Sequence, residues 1–204
     1  VPSPVVSKDI ALVCAPKKDP IYAIKLGGNG QLGRNAVAWV SRDVREVRSD
    51  VPTPAYYDGD FFVLSDLRKA LSRVEPDTGK VKWIFTTGGR IDSAPTYHKG
   101  MLICGSADGY VYCLRASDGA LAWKFKAAPA DMLVSVYGQL ESAWPVHGSV
   151  LVHDDELVLT AGRSTYLDDG LRFYRLNPVT GQVLAEKTIA HIDPETDKQT
   201  GQEP

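Results

Sequence analysis

Three cysteines and four histidines are the residues with which this 204-residue chain could build a redox or metal centre. The cysteines are Cys14, Cys104 and Cys113. Asp108-Gly109 suits a two-residue hairpin turn with both central residues at positive φ, and such a turn sets Cys104 opposite Cys113 at a closely spaced, non-hydrogen-bonded pair. There they could form a cross-strand disulfide in an oxidising compartment, or simply serve as small apolar residues of a central strand pair. No Cys-x-x-Cys-His for haem attachment is present. The histidines His98, His147, His153 and His191 lack the His-x-His or His-Glu-x-x-His spacing that brings two rings to one metal. The acidic runs His153-Asp154-Asp155-Glu156 and Asp168-Asp169-Gly170 have oxygen ligands enough for calcium, but they fall where turns between strands are due, so solvated turns are expected. No Gly-x-Ser-x-Gly, P-loop or dinucleotide fingerprint occurs, and Gly27-Gly28-Asn29-Gly30 reads as a flexible loop because no helical pattern follows it.

The elements that must position these residues come from a repeat. Asp77-Thr78-Gly79-Lys80-Val81-Lys82-Trp83 recurs as Ser117-Asp118-Gly119-Ala120-Leu121-Ala122-Trp123, with Gly and Trp at the same separation, about 40 residues later. A weaker copy ends in Gly181-Gln182-Val183-Leu184, with Ala185 where Trp is expected. A second marker is Pro followed by an extended apolar segment, at Pro4, Pro54, Pro95 and Pro145. Between these markers lie short apolar runs bounded by turn residues, such as Asp60-Phe61-Phe62-Val63-Leu64 and Gly100-Met101-Leu102-Ile103-Cys104, as in strands buried on both faces. Each copy therefore reads as a four-stranded antiparallel meander of about 40 to 50 residues, the size of a β-propeller blade. The blades are expected over approximately residues 1–48, 49–89, 90–130 and 131–192, with 193–204 a polar tail lacking an apolar anchor.

Composition narrows the partners. Lys plus Arg number 23 against 25 Asp plus Glu, a formal charge of −2, with 44% hydrophobic residues. That balance supports a packed core and offers no basic footprint for nucleic acid. No run approaches the 18 apolar residues of a membrane-spanning helix. A protein or glycan ligand remains. The segment before Pro145 is longer than its counterpart in the preceding copy, and insertions in a propeller emerge on one rim. Gln139, Glu141 and Trp144 from this insertion, with Arg163 and Tyr166 from the next long connection, would make a polar and aromatic pocket for a sugar or peptide. The plainer alternative is a loop packed against its own blade.

The repeat resembles that of the quinoprotein-like (PQQ-like) β-propellers, in which an Asp-x-x-Thr-Gly-x-x-x-Trp-like segment docks one blade on the next. Asp77, Gly79 and Trp83, then Asp118, Gly119 and Trp123, and finally Gly181 carry that pattern. The stretch from Ala94 to Leu184 is similar to a group of exported bacterial PQQ-like propeller proteins. The resemblance implies an all-β fold in a periplasmic or extracellular protein. It also implies a ring of seven or eight blades, of which about four are present, the rest coming from the same longer polypeptide or another chain. It further implies two activities between which the repeat does not choose. One is a non-catalytic binding or scaffolding module without cofactor. The other is part of a PQQ- and calcium-dependent dehydrogenase; since the adjacent Cys-Cys pair of those enzymes is absent, the missing blades would have to complete its site.

Overall fold

The computed structural model describes residues 2–14, 20–41, 47, 49, 52–65, 68–136 and 138–191; the tail 193–204 lies outside them. The first sheet joins β1 (Val5–Val6), β2 (Ile10–Val13), β3 (Tyr22–Lys25) and β4 (Val37–Val40) in sequence order. The second joins β5 (Ala55–Tyr57), β6 (Asp60–Ser65), β7 (Ala70–Val74) and β8 (Val81–Thr86), and the third β9 (Thr96–His98), β10 (Met101–Gly105), β11 (Tyr110–Arg115) and β12 (Leu121–Lys126). A separate hairpin, β13 (Leu133–Val136) with β14 (Gln139–Ser142), precedes the fourth sheet of β15 (Leu151–His153), β16 (Glu156–Ala161), β17 (Leu171–Leu176) and β18 (Val183–Ile189). Every pairing is antiparallel between neighbours, so each sheet is the expected meander. No helix among the described residues is long and apolar enough to cross a membrane.

Turn chemistry explains the hairpins. The first turns of the second, third and fourth sheets place Asp58-Gly59, Lys99-Gly100 and Asp154-Asp155 at positive φ, as a two-residue type I′ turn requires. Both acidic runs thus form turns, with Asp168 and Asp169 also at positive φ. Among the described residues no group of three or more His, Cys, Asp or Glu is placed to hold a metal ion.

Asp108-Gly109 departs from the expected geometry. Gly109 donates to the Ser106 carbonyl, Ser106 and Tyr110 close the loop, and only Gly109 has positive φ, so the loop holds three residues. That single extra residue shifts the register. Cys104 faces Tyr112, and Cys113 faces Ile103. Because neighbouring positions on a strand point to opposite faces, the two cysteines enter different cores, and both are free thiols. The register that would set Cys104 opposite Cys113 is therefore corrected, and of the two readings the structure matches small buried residues of a central strand pair.

Three hydrophobic cores lie between successive sheets. Phe62, Leu64 and Leu71 of the second sheet meet Leu102, Cys104 and Leu114 of the third, and Ile103, Val111 and Cys113 meet Leu157, Leu159 and Tyr174 of the fourth. Tryptophans clamp each joint. Trp39, Trp83 and Trp123 occupy the same place in β4, β8 and β12, opposite the residue before a β-bulge in the adjoining strand. Their indole N–H groups donate to the carbonyls of Pro76, Ala116 and Pro178 in the next sheet's third turn, at 2.7, 3.0 and 3.1 Å. Gly79, Gly119 and Gly181 close those turns at φ of 72, 73 and 72°, and a Cβ there would lie 2.7 to 2.8 Å from the indole. Glycine is thus required twice over, by backbone conformation and by close approach. Asp118 supports its own turn instead, pairing with Arg115 and accepting from Ala120 N–H, while Asp77 sits in the turn that receives Trp39. Ala185 holds the equivalent place in β18.

Candidate functional site

In an antiparallel meander the connections alternate between two ends, so every second loop shares a rim. The β10–β11 turn, the β16–β17 connection and the chain between successive sheets meet on one such rim. Ala107 N–H donates to Arg90 O at 2.7 Å, Ser142 N–H to Ala107 O at 2.8 Å, Val146 N–H to Ser106 O at 3.0 Å and Gly162 N–H to Pro145 O at 3.0 Å. Glycines permit this crowding: a Cβ on Gly89 would stand 2.3 Å from Asp108 N, and one on Gly105 2.4 Å from Val146.

A charge network sits on this backbone frame. Arg90 donates from Nε to Asp92 Oδ1 at 2.5 Å, and its Nη1 lies 2.6 Å from Glu141 Oε1. His147 Nδ1 is 2.6 Å from Asp92 Oδ2, while its Nε2 lies 3.6 Å from Glu141 Oε2. Arg163 Nη2 approaches the same Oε2 at 3.6 Å and donates to Ser142 O at 3.1 Å. Glu141 is 1% exposed. A carboxylate so far from water has to be compensated by nearby cations, and two arginines supply that. Burial alone would raise the Asp92 carboxyl, but hydrogen bonds from His147 and Arg90 outweigh it and hold the group below the usual carboxylate range. Asp108, on the adjoining turn, accepts from Tyr112 Oη at 2.5 Å and Tyr110 N–H at 3.1 Å; burial, and then this bond, push the Tyr112 phenol up. Beside it a cleft of about 250 Å³ opens between the turn and the hairpin, lined by Tyr110, Ala128, Met132 and Leu133.

The expected pocket residues are dispersed by this arrangement. Glu141 and Arg163 come together, but inside the network. Trp144 is 4% exposed, packs in the core between the third and fourth sheets, and donates its indole N–H to Asp168 O. It pins the β16–β17 connection and offers no face to a sugar. Tyr166 stacks on His191 with ring centroids 4.8 Å apart, and Gln139 pairs with Val136 at the far end of the hairpin. The insertion thus packs against the rim at its base, through Glu141, Ser142 and Trp144, while Leu133 and Leu140 of its hairpin stay exposed. No spacing in the sequence joins His147 to Arg90 and Asp92, because His147 stands 55 residues from Asp92. Trp39 was missed as a docking residue because no Asp-Thr-Gly turn precedes it.

A family model described as outer membrane protein assembly factor BamB matches residues 21–200. Solved structures of similar fold include BamB from Moraxella catarrhalis, with a TM-score of 0.58 at 12% identity over 92% of this chain and 48% of that one. The quinohemoprotein alcohol dehydrogenase ADHIIG from Pseudomonas putida HK5 superposes with a TM-score of 0.65 at 16% identity, over 91% of this chain and 33% of that one. The quinohemoprotein alcohol dehydrogenase from Comamonas testosteroni gives 0.65 at 18% identity, over 91% and 34%. These likenesses establish a β-propeller fold, and the chain spans about half the length of that BamB and about a third of the dehydrogenases. Among curated proteins none matches the sequence. Four meanders clamped by tryptophan on glycine, under a model matching residues 21–200, show that the chain belongs to the PQQ-like propeller family described for BamB.

Proposed function

We propose that these blades form a binding or scaffolding section of an exported bacterial protein, working in the periplasm or outside the cell, with no reaction of its own. The observation that carries this reading is the mutual neutralisation on the loop-bearing rim. Asp92 and Glu141 face Arg90, Arg163 and His147, so these two carboxylates hold the rim's loops in place. The family model's description, an outer membrane protein assembly factor, favours a protein as the ligand. A glycan reading loses its aromatic platform with the burial of Trp144.

The dehydrogenase alternative requires carboxylate oxygens free to ligate calcium beside a quinone. Asp92 and Glu141 are ion-paired with Arg90, and Asp108 accepts from a phenol and a backbone N–H, which weighs against these three carboxylates as calcium ligands. The test is thermal denaturation of the full polypeptide carrying these blades, with and without PQQ and Ca²⁺. A ligand bound only by the native state at a hundredfold excess over Kd stabilises by about 2.7 kcal/mol. The expected result is an unchanged Tm; an upward shift of several degrees would overturn the non-catalytic reading.

A further inference from the structure

The second and fourth sheets share a device that the first and third lack. Arg73 stands opposite Trp83 at the β7 bulge, and Arg175 holds the same place in β17, opposite Ala185; the first and third sheets have Ala23 and Cys113 there. Each arginine is braced by the acid that follows its sheet's first turn. Arg73 Nε donates to Asp60 Oδ2 at 2.5 Å, and Arg175 donates from Nε and Nη2 to the two oxygens of Glu156, each at 2.6 Å. In the second sheet this brace leaves Nη1 free to cross the joint, where it donates at 2.8 Å to Ala116 O, the carbonyl that also accepts from Trp83. Arg175 has the brace, but its Nη1 has no partner among the described residues, and its side chain is 47% exposed against 10% for Arg73.

The rest of the face repeats the comparison. The rows Ala55, Phe62, Arg73 and Trp83, and Thr96, Ile103, Cys113 and Trp123, are covered by the following sheet. The corresponding row Leu151, Val158, Arg175 and Ala185 is uncovered, with Leu151 at 59% exposure. From this we infer that Arg175 is the docking residue of a fourth blade joint, delivering a guanidinium N–H to a backbone carbonyl in the third turn of a further blade of the same polypeptide. Arginine there replaces tryptophan, as arginine supplements it in the second sheet. A second copy of this chain fits poorly. Its first sheet would have to receive Arg175, and the third connection of that sheet, residues 26–36, is a long glycine-rich loop around the 3₁₀ turn Arg34–Ala36. It lacks the tight turn, closed by a glycine N–H on the carbonyl four residues back, that receives a neighbour in the second, third and fourth sheets. The inference holds whatever ligand the rim takes.

The test is arginine-directed dicarbonyl footprinting of the full polypeptide, with amide exchange on variants. Arg175 is expected to be protected like Arg73, while Arg115, exposed and paired within its own turn, reacts. Arg175→Ala should speed exchange across Val183–Ile189 at least tenfold, and Arg175→Lys should not restore it, because one ammonium cannot both grip Glu156 bidentately and reach the carbonyl. Modification of Arg175 as fast as Arg115, or unchanged exchange in Arg175→Ala, would overturn the assignment. So would protection that disappears on dilution together with a halving of mass, since that would give the face to a second copy.

Discussion

Replacing Gly119 by Ala tests the joint between the second and third sheets with one methyl group. The new Cβ would stand 2.7 Å from Cδ2 and Cε3 of Trp83, where carbon atoms ordinarily rest about 3.5–4.0 Å apart. The indole would therefore have to withdraw by roughly 1 Å, stretching its 3.0 Å bond to Ala116 O. Overpacking of this kind costs about 1–3 kcal/mol, and holding a non-glycine residue in the left-handed region adds about 1–2 kcal/mol. Gly100→Ala is the control, since Gly100 has φ of 82° and nothing within 4 Å of its added Cβ, so it carries the backbone cost alone. Urea unfolding followed by circular dichroism should show Gly119→Ala less stable than Gly100→Ala by about 1–3 kcal/mol. In a Trp83→Ala background the excess should vanish, because the ring that the methyl strikes is gone. Equal costs for the two glycine variants, or an excess that survives removal of Trp83, would refute the docking argument.

Three further outcomes follow from the rim and the cores. Glu141→Ala leaves Arg90 and Arg163 without their buried carboxylate and is expected to cost about 3 kcal/mol, with faster amide exchange in Leu133–Val136; an unchanged melting curve and exchange pattern would contradict the anchoring role. Asp92, held below the ordinary carboxylate range, contributes stability that is fully present above the unfolded value of about 3.9 and is lost as pH falls through the lower folded value. The stability difference between the protein and Asp92→Asn should therefore shrink as pH falls below about 4; a difference that grew over that acidic range would reverse the sign of the argument. Burial pushes the thiols of Cys14, Cys104 and Cys113 up to about 12, so a thiol reagent at pH 8 should titrate none in the folded protein and three after unfolding without reductant. One thiol after unfolding would reinstate a disulfide.

Much of the architecture was legible from the chain alone because a propeller is encoded locally and repeatedly. Gly79 with Trp83 and Gly119 with Trp123 recur at one separation, since each tryptophan meets the glycine of the following sheet's turn. Strand alternation and turn residues likewise act over a few positions, so they survive in a single sequence. A local error was also possible: Asp108-Gly109 allows either a two- or a three-residue loop, and the difference turned Cys104 and Cys113 to opposite faces. The rim was settled otherwise. Arg90 and Asp92, Glu141 and His147, and Arg163 come from three separate segments of chain whose meeting depends on how neighbouring sheets stack, and no short spacing records that. The same holds for Trp144, whose polar neighbours in sequence suggested a binding surface, whereas the stacking of the third and fourth sheets buried it. Sequence determined the blade and the recurring glycine and tryptophan that mark its clamp, because strands, turns and the repeat are written in short stretches of chain; tertiary structure decided which glycine each tryptophan meets, which charges neutralise one another and which aromatic ring faces water, because those depend on contacts across the joints.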